Sequence, residues 1–294
     1  MESHFAVLRG IGLHYLSAGE KGTRPLMVFL HGFPEYSGAW AGQMAAFSPN
    51  YFTVALDLRG FNLSDKPKKV SDYRIDALMG DVSGLIEHLG YSDCVLVAHD
   101  WGGAIAWAFA THFKSMVRRL VIINAPHAVP FARALAQDPA QQAASQYMLA
   151  LRRPDAAERL LAQDCVRLQA MFKHPVSGKS GLSETEMATY VAIWQQPGAM
   201  DAMLNYYRAT PLLPPVPGAP DPSGLKLEAA KFRVEMPTLV IWGMQDTALL
   251  PVLLEGLQEC VADLRVVQAP SASHWVVHEA PELVTGAIRD FLGD

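Results

Sequence analysis

Residues 94–103 decide the fold, and they read Cys94-Val95-Leu96-Val97-Ala98-His99-Asp100-Trp101-Gly102-Gly103. An apolar run, Cys94 to Val97, predicts a strand that leads through a short turn into a helix of small residues. A strand, a sharp turn and a helix form the context of a nucleophile elbow, whose usual pattern is G-x-S-x-G. Ala98 takes the place of the first glycine, Gly102 matches the last, and Asp100 stands where the serine usually is. Because such a turn presents its central side chain to a cavity, Asp100 is a candidate nucleophile.

A carboxylate at this turn predicts a chemistry different from that of serine. Asp100 would attack an sp³ carbon and form an ester, whereas a serine would leave an ether that water does not readily cleave. The ester would then be hydrolysed at the carbonyl of Asp100, whose oxyanion needs backbone N–H donors nearby. The alternative is structural, since an aspartate at the start of a helix is commonly its N-cap. Asp100 by itself does not decide between the two interpretations, and its partners must.

Strands and helices alternate over much of the chain. Further apolar runs rich in branched residues end at turn signals and predict strands at Leu26 to Leu30, Phe52 to Leu56, Leu120 to Ile123, Thr238 to Trp242 and Leu264 to Val267. Residues 75–89 and 103–111 show helical spacing or a small-residue helical composition. The alternation predicts an α/β fold with a mostly parallel central sheet flanked by helices.

The alternation is interrupted by a long helical segment. It stops near Asn124 and resumes at Met236, and residues 129–225 contain helical patterns but no convincing strand. Residues 211–222 are dense in Pro and Gly, which is typical of a linker. We therefore predict an all-helical lid, residues 129–225, inserted into a core formed by residues 1–128 and 226–294.

The composition excludes several classes of protein. The 294 residues are 50% hydrophobic and 18% charged, which suits a large buried core, and 29 acidic residues outnumber 24 basic ones. No basic run is longer than residues 66–69, which argues against a nucleic-acid partner. Three scattered cysteines and the lack of metal-ligand spacing predict neither a disulfide framework nor a metal, and no cofactor is expected. Without a signal-peptide pattern or a membrane-length apolar run, we expect a cytoplasmic protein.

The C-terminal part of the chain supplies candidates for a general base and its orienting acid. His274 follows the last predicted strand, and Asp246 lies four residues beyond Trp242, just past another strand end. The order Asp100, Asp246, His274 is the nucleophile, acid, histidine order of hydrolases with this elbow. His274 would deprotonate a water and Asp246 would hold its imidazole. His278 is an alternative base, and Asp246 is alternatively a helix N-cap before Leu249.

The residues after the predicted strand Leu26 to Leu30 supply a candidate oxyanion hole and one of the motifs shared with a known family. In His31-Gly32-Phe33-Pro34-Glu35 the bond before Pro34 is a candidate cis peptide, and the N–H groups of Phe33 and Trp101 would form the oxyanion hole. The chain resembles the epoxide hydrolases of the α/β-hydrolase fold, in their branch with an aspartate nucleophile, over nearly its whole length. The motifs that carry the resemblance are HGFPE at 31–35, DLRGF at 57–61 with Ser64-Asp65, HDWGG at 99–103, Asn124-Ala125-Pro126, Asp246 and Ser273-His274-Trp275.

The resemblance implies two lid tyrosines that act as acids in epoxide opening. Tyr147, seven residues before Pro154, matches the first, and Tyr207, in Leu204-Asn205-Tyr206-Tyr207-Arg208, matches the second. Tyr206 would then be a packing aromatic, although the adjacent tyrosines leave the register open. An isolated tyrosine would more simply be a packing residue.

The implied activity is hydrolysis of an epoxide to a vicinal diol, with a small apolar epoxide and water as the partners. Phe33, Trp101 and Trp275 are candidate substrate-binding residues, and the lid offers an apolar lining at Met148, Leu151, Phe172, Trp194 and Met200. No oligomeric state follows from the sequence.

Two other functions, dehalogenation and binding without turnover, are alternatives to epoxide hydrolysis. Haloalkane dehalogenases resemble the chain at HDWGG and would use Trp101 as a halide donor, but many of them carry Asn where this chain has Phe33. Fluoroacetate dehalogenases usually carry Arg where this chain has Trp101. A hydrolase fold retained only for binding is the third possibility. It would have no chemical need for an intact nucleophile, base and acid.

Four further residues near the motifs are interpreted as structural. His31 and His99 each end a predicted strand, where an imidazole can hydrogen-bond to the backbone and hold a turn. Asp57 and Arg59 are interpreted as a pair behind the site.

Overall fold

The computed structural model describes residues 1–216, 225 and 227–293. They form one eight-stranded sheet with the order β1-β2-β4-β3-β5-β6-β7-β8. The strands are β1 Glu2–Leu8, β2 Ile11–Ala18, β3 Leu26–Leu30, β4 Phe52–Leu56, β5 Cys94–His99, β6 Val117–Ile123, β7 Thr238–Gly243 and β8 Leu264–Ala269. From β4 to β8 all neighbours pair in parallel, whereas β1 with β2 and β2 with β4 pair antiparallel. The predicted mostly parallel sheet is confirmed.

The described helices are α1 Ala41–Phe47, α2 Ile75–Leu89, α3 Asp100–His112, α4 Ala128–Gln137, α5 Pro139–Ala144, α6 Tyr147–Leu151, α7 Ala156–Met171, α8 Glu184–Trp194, α9 Ala199–Ala209, α10 Val276–Glu279 and α11 Pro281–Leu292. Backbone angles leave the helical range within α7 at residues 162–165. Short 3₁₀ turns lie at Ser37–Trp40, Val70–Tyr73, Lys114–Met116, Ala229–Phe232, Pro251–Leu254 and Leu257–Glu259. No helix of the described residues is both long and apolar enough to cross a membrane.

The sheet separates two apolar cores. Side chains alternate along each strand, so Val28 and Leu30 of β3 belong to the core that contains α2 and α3. Met27 and Phe29 face the other side, where α1 and α11 cover them. Helices on both faces explain why the central strands are continuous apolar runs, since neither of their faces meets water.

The hairpin β1–β2 was not predicted. On β1 only Ala6 and Leu8 are buried, and the exposed side chains include Phe5 and Val7. Such a strand lacks both the continuous apolar run of a central strand and a clean alternation, so the pattern that found the other strands misses it. Its place at the edge of the sheet accounts for this composition.

The segment between β6 and β7 is helical where it is described. It contains α4 to α9 and, among the described residues, no strand beyond two isolated bridges, one between Lys173 and Ser180 and one from Val234 to Val261. The predicted lid began at residue 129, and the first helix begins at Ala128. Most of the predicted linker 211–222 and residue 226 of the predicted boundary lie outside the described residues. The division into core and lid therefore stays a prediction.

Candidate active site

The turn after β5 has the geometry of a nucleophile elbow. Asp100 adopts a φ of 49°, a left-handed conformation that is uncommon outside glycine and that the surrounding structure must hold in place. The next residues run so close to β3 that a Cβ on Gly102 would lie 2.4 Å from the Leu30 carbonyl oxygen. A Cβ on Gly32 would lie 2.3 Å from the Asp100 Cβ. Both glycines of the sequence motifs therefore stand where no side chain fits.

The carboxylate of Asp100 is held through one oxygen. Its Oδ1 accepts a hydrogen bond of 2.7 Å from the backbone N–H of Phe33. Its Oδ2 lies 3.7 Å from His274 Nε2. Helix α3 begins at Asp100 itself, and its N-cap position, His99, makes no side-chain cap bond. The Asp100 side chain is thus not the N-cap of α3, and one of its oxygens is left for another partner.

The backbone places a second donor next to Asp100. Trp101 lies in the first turn of α3, where the N–H groups have no acceptor within the helix. The bond between Phe33 and Pro34 is cis, as predicted.

His274 and Asp246 meet at the ends of two neighbouring strands. Asp246 follows β7, His274 follows β8, and His274 Nδ1 lies 2.7 Å from Asp246 Oδ2. The other oxygen of Asp246 accepts from the N–H groups of Ala248 and Leu249 at 2.8 and 2.9 Å. No helix begins at Leu249, because the next 3₁₀ turn starts at Pro251 and has Leu250 as its N-cap, so Asp246 is not a helix N-cap. One of its oxygens instead holds the bend that follows, and the other bonds to the histidine.

Asn124 is a site residue that the sequence reasoning quoted in a motif but gave no role. It follows β6, and its side-chain N–H donates to Asp246 Oδ2 at 2.8 Å. Its side-chain oxygen accepts from the N–H of Gly243 at 2.8 Å. Asn124 therefore fixes the same carboxylate oxygen that holds His274. Its position directly after a predicted strand was the one sequence feature that could have marked it as a site residue.

The alternative base, His278, bonds to Glu35, whereas His274 is the histidine beside Asp100 and Asp246. The Nε2 of His278 lies 2.5 Å from Glu35 Oε1, and the other oxygen of Glu35 lies 3.0 Å from His99 Nδ1. The Nε2 of His99 lies 3.0 Å from the backbone carbonyl of His274. A buried cluster thus supports the His274 loop from behind, and Glu35 is a second residue whose role the sequence reasoning missed.

His31 and His99, which were interpreted as structural, form side-chain hydrogen bonds to backbone groups. His31 bonds to the carbonyl of Gly32 at 2.9 Å and accepts from the N–H of Leu58 at 3.1 Å, and His99 holds the His274 carbonyl. Both interpretations are confirmed.

The tyrosines predicted in the lid lie above Asp100. Tyr147 begins α6 and Tyr207 lies in α9, with ring centroids 6.1 Å apart. The ring of Tyr207 also lies 5.2 Å from that of Trp101. The hydroxyl of Tyr206 donates to the Arg59 carbonyl at 2.8 Å. Of the two adjacent tyrosines, Tyr206 is therefore already engaged with the core, as a packing residue would be.

A cavity of about 660 Å³ joins these groups. Asp100, Trp101, Tyr147 and Tyr207 line it together with many apolar side chains. Of the five apolar lid residues predicted to line a pocket, Met148 lies among its described lining residues, whereas the other four do not.

Trp275 lies in the packing behind the site. Its ring stacks on Phe172 with centroids 4.1 Å apart, and its indole N–H donates to the Met171 carbonyl at 2.5 Å. Neither Trp275 nor Phe33 is among the described residues that line the cavity. Phe33 contacts the site through its N–H and through its ring, which lies 5.3 Å from that of Tyr207. The side chain of Trp275 thus gives no support to its predicted contact with substrate.

The predicted pair of Asp57 and Arg59 is wrong. Arg59 instead forms a bidentate ion pair with Asp81 of α2, with distances of 2.5 and 2.7 Å. Asp57 bonds to His14 Nδ1 of β2 at 2.6 Å. Each of the two residues reaches an element that is distant in sequence, and sequence proximity misled the prediction.

Comparisons with known proteins agree with this fold. A family model described as alpha/beta hydrolase fold matches residues 25–281. "Epoxide hydrolase 3" of Xenopus tropicalis is 39% identical over 289 residues, which cover 96% of this chain and 75% of the relative. The chain belongs to the epoxide hydrolase family.

Solved structures of the family are similar throughout. An epoxide hydrolase of Bacillus megaterium in complex with an inhibitor superposes with a TM-score of 0.90 at 34% identity, covering 99% of this chain and 100% of that one. A phenylalanine-to-alanine mutant of the Bacillus megaterium enzyme holds its product, (R)-3-[1]naphthyloxy-propane-1,2-diol, with the same TM-score of 0.90, identity of 34% and coverage of 99% and 100%.

The electrostatics of the candidate site favour a charged His274. Burial alone would lower the pKa of His274, but the charge and hydrogen bond of Asp246, followed by the charge of Asp100, raise it to about 9. Burial alone would raise the pKa of Asp246, but His274, the Leu249 N–H and Asn124 hold it below its usual value. The two groups thus stabilise each other as an ion pair.

The first prediction concerns the tight turn. Gly102→Ala places a methyl group against the backbone carbonyl oxygens of Leu30 and His31, which cannot move without disturbing β3. We expect the free energy of unfolding to fall by about 3 kcal/mol, at the upper end of ordinary overpacking. Urea unfolding measures the change. Gly286→Ala, in α11 with open space around its Cα, is the control and should gain about 0.5–1 kcal/mol. Equal stability of Gly102→Ala and wild type would contradict the close approach.

The second prediction concerns pH. Since the pKa of His274 is raised from 6.5 to about 9 by folding, its contribution to stability is complete below pH 6.5 and is lost as the pH rises through about 9. Urea unfolding at several pH values should show wild type losing more stability across this window than His274→Gln. Asp246→Asn should reduce the difference, because it removes the charge that raises the pKa. The same slope in wild type and in His274→Gln would refute the assignment.

Proposed function

We propose that the chain hydrolyses epoxides to vicinal diols through an ester on Asp100. The observation that carries the proposal is the arrangement of one carboxylate and two phenols about one cavity. Asp100, Tyr147 and Tyr207 all line it, so an epoxide bound there would have a nucleophile on one side and two O–H donors on the other. That is the arrangement that opening a three-membered ring needs.

In the first step Asp100 Oδ2 attacks an epoxide carbon. Its C–O bond forms as the carbon–oxygen bond of the ring breaks, and the leaving oxygen takes the electron pair and a proton from a tyrosine. The bond from the Phe33 N–H to Oδ1 supports this role, because it orients the carboxylate and leaves Oδ2 free. The product of the step is a hydroxyalkyl ester.

The lid tyrosines supply the proton in this proposal. Burial and then the charge of Asp100 raise the pKa of Tyr147, and burial, Tyr147 and Asp100 raise that of Tyr207, each above the ordinary value of 10.0. Both phenols are therefore fully protonated at neutral pH and available as donors.

In the second step water hydrolyses the ester. The ester carries no negative charge, so one of the charges that raise the pKa of His274 is removed and the imidazole releases its proton to solvent. The neutral His274 Nε2 then takes a proton from the water, whose oxygen attacks the ester carbonyl carbon of Asp100, while Asp246 stabilises the imidazolium. The former Oδ1 becomes the oxyanion, and the N–H groups of Phe33 and Trp101 are its donors. Collapse of this intermediate breaks the bond between the Asp100 carbonyl carbon and the alkyl oxygen, and that oxygen takes the proton from His274 and leaves as the diol. The proton of the Asp100 carboxylic acid returns to the tyrosinate, which restores the carboxylate and the phenol.

In this proposal the described helices of the predicted lid cover the site. They bring both tyrosines to the cavity and exclude water from the nucleophile before the ester forms. The apolar lining suits an aryl or alkyl epoxide, and Phe33 and Trp101 flank its reacting end. The naphthyloxy diol product of the Bacillus megaterium relative makes an aryl glycidyl ether a suitable first substrate.

The third prediction is that His274→Gln traps the ester. Without its base the enzyme should form the ester but not hydrolyse it, so the intact protein should gain the whole mass of the epoxide, and a peptide map should place it on Asp100. His88→Gln, at an exposed position of α2, should turn over without accumulating an adduct. No adduct with any epoxide would sink the covalent mechanism.

Alkyl halides in the same assay test the dehalogenase alternative. A halide substrate would leave an adduct equal to its mass without the halogen. Adducts from halides in the absence of adducts from epoxides would replace the proposed function with dehalogenation.

The fourth prediction concerns the ring-opening acids. Tyr147→Phe combined with Tyr207→Phe removes both donors and should slow ester formation by about 10²–10⁴-fold, measured as single-turnover alkylation in the His274→Gln background. Tyr206→Phe is the matched control, because its hydroxyl is bound to the Arg59 carbonyl, and it should lose stability but keep the alkylation rate. Unchanged alkylation in the double variant would show that the acid lies elsewhere.

A further inference from the structure

A serine, a histidine and an aspartate form a hydrogen-bonded row across the antiparallel edge of the sheet. Ser3 lies on β1, His14 on β2, and Asp57 directly follows β4. In the β1–β2 register Phe5 is the direct partner of His14, so Ser3 is its diagonal neighbour on the same face. The backbone N–H of Asp57 bonds to the His14 carbonyl at 2.9 Å. Three neighbouring strands thus place these side chains in one line.

The distances along this row are those of hydrogen bonds. Ser3 Oγ lies 2.8 Å from His14 Nε2, and His14 Nδ1 lies 2.6 Å from Asp57 Oδ2. Because an ionised carboxylate only accepts, Nδ1 carries the proton of a neutral His14, and Nε2 must then accept from the Ser3 hydroxyl. This is the tautomer and direction of bonding that activate a serine for attack.

The aspartate of this row is built to remain charged. Asp57 is fully buried, and its Oδ1 accepts from the N–H of Ser37 at 2.8 Å while its Oδ2 also accepts from the side chain of Asn62 at 2.7 Å. Burial alone would raise the pKa of Asp57, but the bonds from His14 and Ser37 and the charge of His31 hold it below its usual value. His14 is buried as well, whereas Ser3 is exposed. The row therefore has a fixed base and a nucleophile that solvent reaches.

We propose that Ser3, His14 and Asp57 form a second nucleophilic site, which transfers acyl groups from small activated esters. Ser3 Oγ attacks the ester carbonyl while His14 Nε2 takes its proton. The alcohol or phenol part leaves with the electron pair of the broken C–O bond and takes the proton from His14 Nε2, and the acyl group stays on Oγ. A water deprotonated by His14 then releases the acid, and the proton returns to Ser3. None of the three residues is among the described residues that line the cavity at Asp100.

Activated esters are the expected substrates because Ser3 lies at the open edge of the sheet. An exposed site has little surface with which to bind a substrate, so the reactivity must come from the ester itself, such as a phenyl ester with a good leaving group. The nearby pair of Ser17 and His4 offers a contrast. Its Oγ–Nε2 distance is also 2.8 Å, but Ser17 is buried and the carboxylate near that histidine, Glu2, lies 3.5 Å from the same Nε2. That pair lacks both access and an orienting acid.

The test is acylation with p-nitrophenyl acetate, read out by peptide mapping. Wild-type protein is incubated briefly at mildly alkaline pH, quenched and digested, and the acetyl group is located by fragmentation of the peptide that ends at Arg9. We expect Ser3 to be acetylated about 100-fold faster than Ser177, a serine that is also exposed, since an oriented general base contributes at least this much. Acetylation of Ser3 at the rate of Ser177 would overturn the proposal.

Two variants separate base catalysis from simple exposure. His14→Gln should lower the acetylation rate of Ser3 to that of Ser177, and an unchanged rate in a folded His14→Gln protein would also overturn the proposal. If that variant does not fold, the comparison of Ser3 with Ser177 in wild type still decides the question. Ser3→Ala should keep the wild-type rate of epoxide hydrolysis, which shows that the two sites are independent.

Discussion

The hydrogen bond from the Phe33 N–H to Asp100 Oδ1 is the contact on which the rest of the site depends, because it joins β3 to the turn after β5. It requires the Asp100 side chain to lie over Gly32, where no Cβ fits, and Gly102 to lie against the Leu30 carbonyl. With one oxygen held in this way, the other faces His274 at 3.7 Å. The strained turn at Asp100 thus determines which of its two oxygens the Phe33 N–H holds.

Buried carboxylates paired with histidines recur around this turn. Asp246 holds His274, Glu35 holds both His99 and His278, and all of these groups are at least mostly buried. Burying a charge is costly unless it is paired and hydrogen-bonded, so each carboxylate confines its histidines to one orientation. Removing one partner would leave the other charge unpaired in the interior. The buried ion pairs and hydrogen bonds that make the site polar therefore also hold its side chains in place.

Hydrophobic patterns in the sequence predicted the central strands and helix α2, because these elements are fully or largely covered by the core. Helix α2 has the predicted bounds, since its apolar spacing ends at Gly90, and the apolar runs located the central strands. The edge hairpin was missed because half-exposed strands carry no such run. Among the side chains, Asp57 and Arg59 were paired wrongly because their true partners, His14 and Asp81, are distant in sequence.

Two further site features also depended on packing rather than on pattern. Trp275 follows His274 directly, yet its ring packs on Phe172, which approaches from α7. Asn124 and Glu35 stood in quoted motifs, but their role as hydrogen-bond partners of the Asp246 and His99 side chains becomes visible only where strand ends meet. The identity of a residue near a motif is readable from sequence, whereas the direction of its side chain is not.

The proposed chemistry divides between the two parts of the chain. Nucleophilic attack and ester hydrolysis use Asp100, His274, Asp246 and the backbone donors, all of which follow strand ends of the sheet. The same set would serve an epoxide or an alkyl halide. The leaving group separates the two substrates, because an alkoxide must be protonated and a halide need not be. The phenols that would supply this proton lie on α6 and α9. Substrate class is therefore a property of the helical segment between β6 and β7, and changing that segment should alter the leaving group without altering the covalent mechanism.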